Sequence, residues 1–419
     1  MTATAPASLS TGNRIRTRPA VRASHSTGFW FMTAAFTVQM AFGTVPTPLW
    51  PLYEQRDGFD TTMVTVAYAV TVGAAAVGFL LLGHLSDRFG RRRVVVPALL
   101  TAFAAALCLM LFPELPGLIV GRLLTGLGVG LMASSATTYL TDLYHAKHPD
   151  RRGSAAPGLI ATAANLGGLA LGPLLAGVVA EWAPAPLVTP YLLFAVAFVV
   201  LTVLVLASPE TVDRNLVPDT ASRFALRPGG RWSFSCAAAV GFFSYAVMGL
   251  FSSLGAVMIR SVLGITSLAV AGIAPFAMFA ASAVAQLAFG RLTTRRMLLT
   301  GLVIFPVGLG MSALALFEPA LWLYLTAAAI AGAGAGLLFK GALGQSMGSA
   351  EHHSRAGVLA LFFAIAYIGM GAPSIAFSVA AQQVGLRVSM IAFAAVLSLG
   401  TAVAVALSAP RMGRSLPDL

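Results

Sequence analysis

Between residues 83 and 95 the chain reads GHLSDRFGRRRVV, and positions 87–93 set one carboxylate, Asp87, among four arginines. A carboxylate among guanidiniums makes charge-assisted hydrogen bonds that hold two pieces of chain together; it supplies no nucleophile. Bond-making chemistry is poorly served elsewhere. H-E-x-x-H does not occur, Cys108 and Cys236 have no metal-ligand or disulfide spacing, and His352 and His353 follow Glu351 in a short polar turn. No enzyme activity, metal or cofactor is expected. The residues offer binding instead. Arg122, Gln39, Asn165, Tyr245 and Tyr367 lie inside long apolar runs, where a polar group needs a partner or a wet cavity.

The elements that must position these groups follow from composition. Of 419 residues 58% are hydrophobic and 10% charged, with mean hydropathy +0.85. A soluble domain is about 45–50% apolar and about 25% charged, so this much apolar surface needs lipid around it. A bilayer core takes about 20 apolar residues per helix. Twelve such runs occur, at 28–50, 62–83, 94–112, 117–140, 155–180, 187–207, 233–258, 267–290, 297–317, 320–340, 356–381 and 388–408. An all-α membrane protein of twelve transmembrane helices is predicted.

The Pro-, Gly- and charge-rich stretch 208–232 divides the runs into two sets of six. The expected organisation is a basic tail at 1–27, a first bundle at 28–207, a linker at 208–232, a second bundle at 233–408 and a tail at 409–419. The net charge of +12 does not signal nucleic acid, because 22 of the 26 lysines and arginines fall in segments on one side of the alternating helices. By the positive-inside rule that side, with both termini, is cytoplasmic. Arg56, Arg260 and Arg387 fall outside, with Glu54, Asp57, Asp60, Glu114, Glu181 and Glu318. A multi-pass, monomeric protein of the cell membrane is the expectation.

Internal repetition points the same way. GHLS at 83–86 returns as GRLT at 290–293, 207 residues later and again followed by arginines. Duplicated six-helix halves with a site between them are the plan of many secondary transporters.

Gly83-His84-Leu85-Ser86-Asp87-Arg88-Phe89-Gly90-Arg91-Arg92 resembles the loop 2–3 signature G-x-L-x-D-R-x-G-R-R of the major facilitator superfamily, and the resemblance extends over nearly the whole chain. It implies two pseudo-symmetric six-helix bundles rocking about a central site. It also implies a cytoplasmic gate in which Asp87, Arg88, Gly90, Arg91 and the helix 4 acid Asp142 latch while the cavity faces out and release when it turns inward. In the second half Thr294 stands where the acid would be, so a matching latch is not expected there.

Helix 4 carries GRLLTGLGVG, similar to the family's Arg-plus-glycine signature, and Arg122 either faces the cavity or snorkels toward Glu114. Helix 5 carries Gly168-x-x-x-Gly172-Pro173-x-x-Ala176-Gly177, resembling a pattern of twelve-helix drug antiporters, with Ala176 replacing one glycine. Gln39, Asn165, Tyr245 and Tyr367 are the candidate cavity groups. The family's usual helix 1 carboxylate is absent, as is any Asp or Glu central to a predicted helix. The coupling proton of such antiporters therefore has no obvious carrier, and a cation has no counter-charge at depth. The resemblance implies an efflux carrier for drugs or secondary metabolites, with a nutrient or vitamin importer or uniporter as the alternative.

Overall fold

The computed structural model describes residues 23–83, 85–151, 153–211 and 224–412, without the side chains of Asp87, His352 and the last few residues. Twelve long helices span these residues. In the first half they are α1 (His25–Thr44), α2 (Thr61–Leu82), α3 (Arg91–Leu111), α4 (Leu115–Lys147), α5 (Ala156–Trp182) and α6 (Thr189–Ala207). In the second they are α7 (Gly230–Leu263), α8 (Leu268–Ala288), α9 (Thr294–Leu314), α10 (Leu321–Ser349), α11 (Arg355–Val384) and α12 (Leu386–Met412). Eleven are long and apolar enough to cross a membrane; α1 has twenty residues but its Thr, Gln and Gly positions lower its hydropathy.

The predicted runs and the helices coincide except at their ends. The first apolar run extends to 50, yet α1 stops at Thr44, because Pro46 and Pro48 lack the N–H that a further turn requires. The chain bends there through Thr47–Leu49 into a short helix, Trp50–Asp57. Helices α4, α7 and α10 run one or two turns beyond their apolar stretches. Five prolines (Pro97, Pro173, Pro275, Pro306 and Pro373) lie inside helices without ending them, as neighbouring helices permit in a membrane. The middle of the expected 208–232 linker and most of the 1–27 and 409–419 tails lie outside the described residues.

The internal repeat is visible in the packing. Helix α1 packs against α4, α5 and α6, and α7 packs likewise against α10, α11 and α12. The contacts of α2 and α3 with α4, and of α3 with α6, return as α8 and α9 with α10, and α9 with α12. Two broad contacts join the halves, α5 on α8 and α2 on α11, and they exchange under the same six-helix shift.

The outward faces of α3, α6, α9 and α12 are apolar, with Leu100, Val196, Val203, Val303 and Leu399 each at least half exposed. A soluble protein rarely presents such bands; a lipid-embedded one requires them.

Glycines make the close helix contacts possible. A Cβ at Gly168 or Gly172 of α5 would strike the carbonyl oxygens of Thr37 or Ala41 on α1. A Cβ at Gly177 would strike the Leu268 carbonyl of α8, and one at Gly272 would strike the Pro173 carbonyl in return. Thus one stripe of α5 fastens it inside its own half while the other seats it against the opposite half. Helix α11 repeats this arrangement, with Gly369 against Phe242 of α7 and Gly371 against Val72 of α2.

Candidate functional site

A cavity of about 520 Å³ lies between the halves and reaches the end where α2 meets α3, α4 meets α5 and α10 meets α11. Ser86, Arg91 and His353 stand at its mouth; Phe36, Phe79, Asn165, Gln286 and Tyr367 line it further in. Tyr367 is twelve residues into α11, roughly 18 Å by helical rise, so the cavity reaches the middle of the bundle. Another hollow of about 400 Å³, around Val262, Leu316 and Arg387, is open at the opposite surface and lies off the seam.

Asn165, Tyr245 and Tyr367, expected from the sequence, line the cavity together. Gln39 does not. It is fully buried beside Gly128 of α4, where neither amide atom has a hydrogen-bond partner among the described residues. The α1 position that reaches the cavity is Phe36, nearly one turn closer to the mouth. Arg122 neither lines the cavity nor reaches solvent beside Glu114. It is 1% exposed, with Nη1 3.4 Å from the Gly43 carbonyl and its guanidinium 5.6 Å from the Trp50 ring. The phenols of Tyr53, Tyr68 and Tyr191 are the titratable groups that feel its charge. The turn at Thr44–Trp50 explains this placement, because it folds Trp50 and Tyr53 back over the bundle on the side away from the mouth.

That far end is sealed by contacts between halves. Trp50 Nε1 donates to the Ser252 carbonyl at 3.3 Å. Thr65 and Thr62 hydroxyls meet Ser378 at 3.2 and 3.0 Å, and Gln382 Nε2 donates to Thr62 and Asp60 at 2.9 and 3.3 Å. Glu181 of α5 accepts from the Leu268 and Ala269 amides at 2.6 and 3.3 Å, capping the N-terminus of α8 from the opposite half. Arg260 donates to the Gln55 side-chain amide oxygen. Burial pushes the Glu54 carboxyl up to about 7; Arg260 pulls it down and Asp60 adds to the rise.

At the mouth, the spacing of the 83–95 segment becomes geometry. Gly90 turns the chain with φ of 105°, a conformation L side chains rarely adopt, and starts α3 at Arg91. Arg91 Nε donates to Asp142 Oδ2 at 3.2 Å and Nη1 to Ser86 at 3.0 Å, while its amide donates to Glu210 at 2.9 Å. Arg88 is exposed and lies over the Phe89 ring at 5.6 Å. The Asp87 side chain lies outside the described residues. The Arg91–Asp142 pair joins α3 to α4 inside one half, and it is formed while this end is open; it does not bridge the mouth.

Glu210 is the member of this cluster that sequence reading misses, because it falls within the expected linker. Its oxygens lie close enough to Gly90 that a Cβ there would come within 2.7 Å of one. The available signal is an acid directly after α6, at the arginine-rich end. Gln286 and the rings of Phe79, Phe339 and Phe363 escape as well, since periodicity does not distinguish a cavity-lining ring from a lipid-facing one.

The sequence profile of the Major Facilitator Superfamily matches residues 31–372. The chain belongs to that superfamily. It is therefore a multi-pass membrane protein of a transporter family, and the family and its named relatives are carriers rather than enzymes. It is 31% identical over 143 residues to a bacillibactin exporter of Bacillus subtilis, covering 32% of this chain and 34% of that one. It is 28% identical over 135 residues to the inner membrane transport protein YnfM of Escherichia coli, covering 32% and 31%. A stretch of 89 residues, 21% of this chain and 18% of the other, is 37% identical to an arabinose-proton symporter of Bacillus subtilis. These matches span about a third or less of the curated relatives' length. Among solved structures the fold matches a mutant of the nucleoside transporter NupG, with TM-score 0.69, 10% identity and 91% and 99% of the two chains covered. It also matches a bacterial homologue of the human lysosomal transporter Spinster, with TM-score 0.68, 13% identity and 96% and 100% covered.

Proposed function

We propose that this major facilitator exports a small molecule by alternating access and that the conformation described is its inward-open state. The observation that carries the reading is the asymmetry of the seam: a cavity at the arginine-rich end, and cross-half hydrogen bonds closing the other. By the positive-inside rule the open end faces the cytoplasm, with both termini on that side of the cell membrane. The halves, 28–207 and 233–408, rock as bodies joined by 208–232, in a monomer.

The outward direction is supported by the α5 pattern, whose Gly177 and Pro173 lie on the sealed seam with α8, and by likeness to an exporter. Drugs or secondary metabolites are the cargo this reading favours. The importer alternative draws on the likeness to a symporter over a shorter stretch. Proton coupling uses carboxylates at the ends of the helices, Asp87 and Asp142 at one and Glu54 at the other. Fluorescent cargo accumulation in cells with and without the gene tests direction. Lower accumulation on expression, abolished when the proton gradient is collapsed, is the expected result. Higher accumulation would replace export by import.

A further inference from the structure

We propose that the cavity's cargo is a planar aromatic molecule without a positive charge, seated on a floor of rings and held by two amides. This rests on the reading of the cavity as the transport site. The first support is the floor. Phe79 and Phe363 stack at 5.3 Å with their planes 16° apart, one from each half. Tyr245 lies 4.2 Å from Phe339 at 30°, and Tyr367 lies 5.1 Å from Phe79. Phe79 owes its place to a π-helical turn at Gly78–Leu82, a device that redirects side chains at the end of α2. The inner faces of Phe79 and Phe363 cover each other and Tyr367 meets Phe79 edge-on at 68°, so the remaining ring surface that lines the cavity is what a flat ligand would stack on, and offset stacking rewards one.

The second support is polar. Asn165 Oδ1 is buried without a hydrogen-bond partner among the described residues, although the residue lines the cavity. Gln286, 6% exposed, lines it from the other half, and its main-chain oxygen is engaged by Lys340 Nζ at 2.6 Å. These amides lack the paired, dense hydrogen bonding that a polyol requires; two amides and two phenols suit a few groups on the edge of a ring system. The third is charge. Among the described residues the lining includes Arg91 and His353 and no carboxylate, so a cation entering the interior meets no opposite charge from them.

The test uses the purified full chain in nanodiscs for binding and in liposomes for movement. The probes are genistein, 1-naphthoate, ethidium and D-xylose, representing a neutral planar aromatic, an aromatic anion, an aromatic cation and a non-aromatic polyol. Genistein is expected to bind and 1-naphthoate to compete with it, while ethidium and D-xylose do not. Asn165→Leu and Phe79→Leu are each expected to weaken genistein by about tenfold, the loss of one buried hydrogen bond or one stacked face. Asn165→Asp should admit ethidium; it also checks folding, since a gain of binding cannot come from a misfolded chain. Binding of ethidium or D-xylose at least as tight as that of genistein overturns the proposal, as does genistein binding unmoved by both substitutions. Genistein that binds with these dependences but is not moved across the liposome overturns the transport reading and leaves the ligand class standing. D-Xylose moved while genistein does not bind does the reverse.

Discussion

Gly272→Ala on α8 tests whether the seam between α5 and α8 holds the far end shut. The new Cβ would lie against the Pro173 carbonyl, well inside the 3.0 Å below which real Cβ atoms are essentially never found. The obstacle is backbone, so no side chain can swing away, and the helices must part by roughly half an ångström. Overpacking of this kind costs about 1–3 kcal/mol. The cost falls on the sealed arrangement, because once α5 and α8 separate the same Cβ faces a gap. At about 1.4 kcal/mol per factor of ten, the sealed population should fall relative to the open one by roughly 5- to 150-fold. Ser378 is fully buried in the seal, and a cysteine there, in a chain lacking Cys108 and Cys236, reports opening through its reaction with an impermeant maleimide. Labelling should rise by at least about fivefold with Gly272→Ala. Gly168→Ala is the control, since it overpacks α5 on α1 within one half and should leave labelling unchanged. Equal labelling in both variants, in protein that is folded by gel filtration, would refute the assignment of the seal to this seam.

Other outcomes follow from the same geometry. Glu54 holds its proton more tightly while buried near Arg260 and Asp60 than it would in water, so low pH favours the sealed end and high pH its opening. The ratio of Ser378→Cys labelling to that of the same cysteine in Glu54→Gln, which cancels the thiol's own pH-dependent reactivity, should therefore rise as pH goes from the ordinary carboxylate value of 4.5 through about 7, and a flat ratio would dismiss the coupling. Glu210→Gln should slow transport at equal surface expression by removing the charge that holds the Arg91 amide, and a wild-type rate would dismiss that role. Gly90→Ala should lower the unfolding midpoint, since φ of 105° with ψ of 148° lies close to backbone territory kept for glycine, costing an L residue about 1–3 kcal/mol, and its Cβ would meet Glu210. Arg122→Met should raise the passive proton leak of cargo-free liposomes; a leak equal to wild type would show that the buried charge is structural only.

The fold was legible because lipid imposes a long, simple signal: runs of about 20 apolar residues separated by charged turns. The helix ends were less so, as α4, α7 and α10 continue past the bilayer on residues whose polarity says nothing about helicity. At the mouth, Gly90, Arg91 and Asp142 follow from the family resemblance, but Glu210 joins them from 119 residues beyond Arg91, a distance no local pattern covers. Inside, Asn165, Tyr245 and Tyr367 were found because polar atoms stand out in apolar helices. The same rule misplaced Gln39 and Arg122, since polarity marks a residue as needing company without saying which face of the helix provides it. The π turn that aims Phe79 has no sequence signature at all.

The position of Arg122 bears on what happens when no cargo is present. A cell keeps a voltage across its membrane, and any carrier whose interior is wet from one side risks becoming a wire for protons and sodium. Here a guanidinium held against Trp50, within the field of three tyrosines, is buried among the helices on the side away from the mouth of the cavity. On the inward-open reading proposed above, that charge would repel small cations entering from the cavity, and the resting molecule would preserve the gradient on which its neighbours depend.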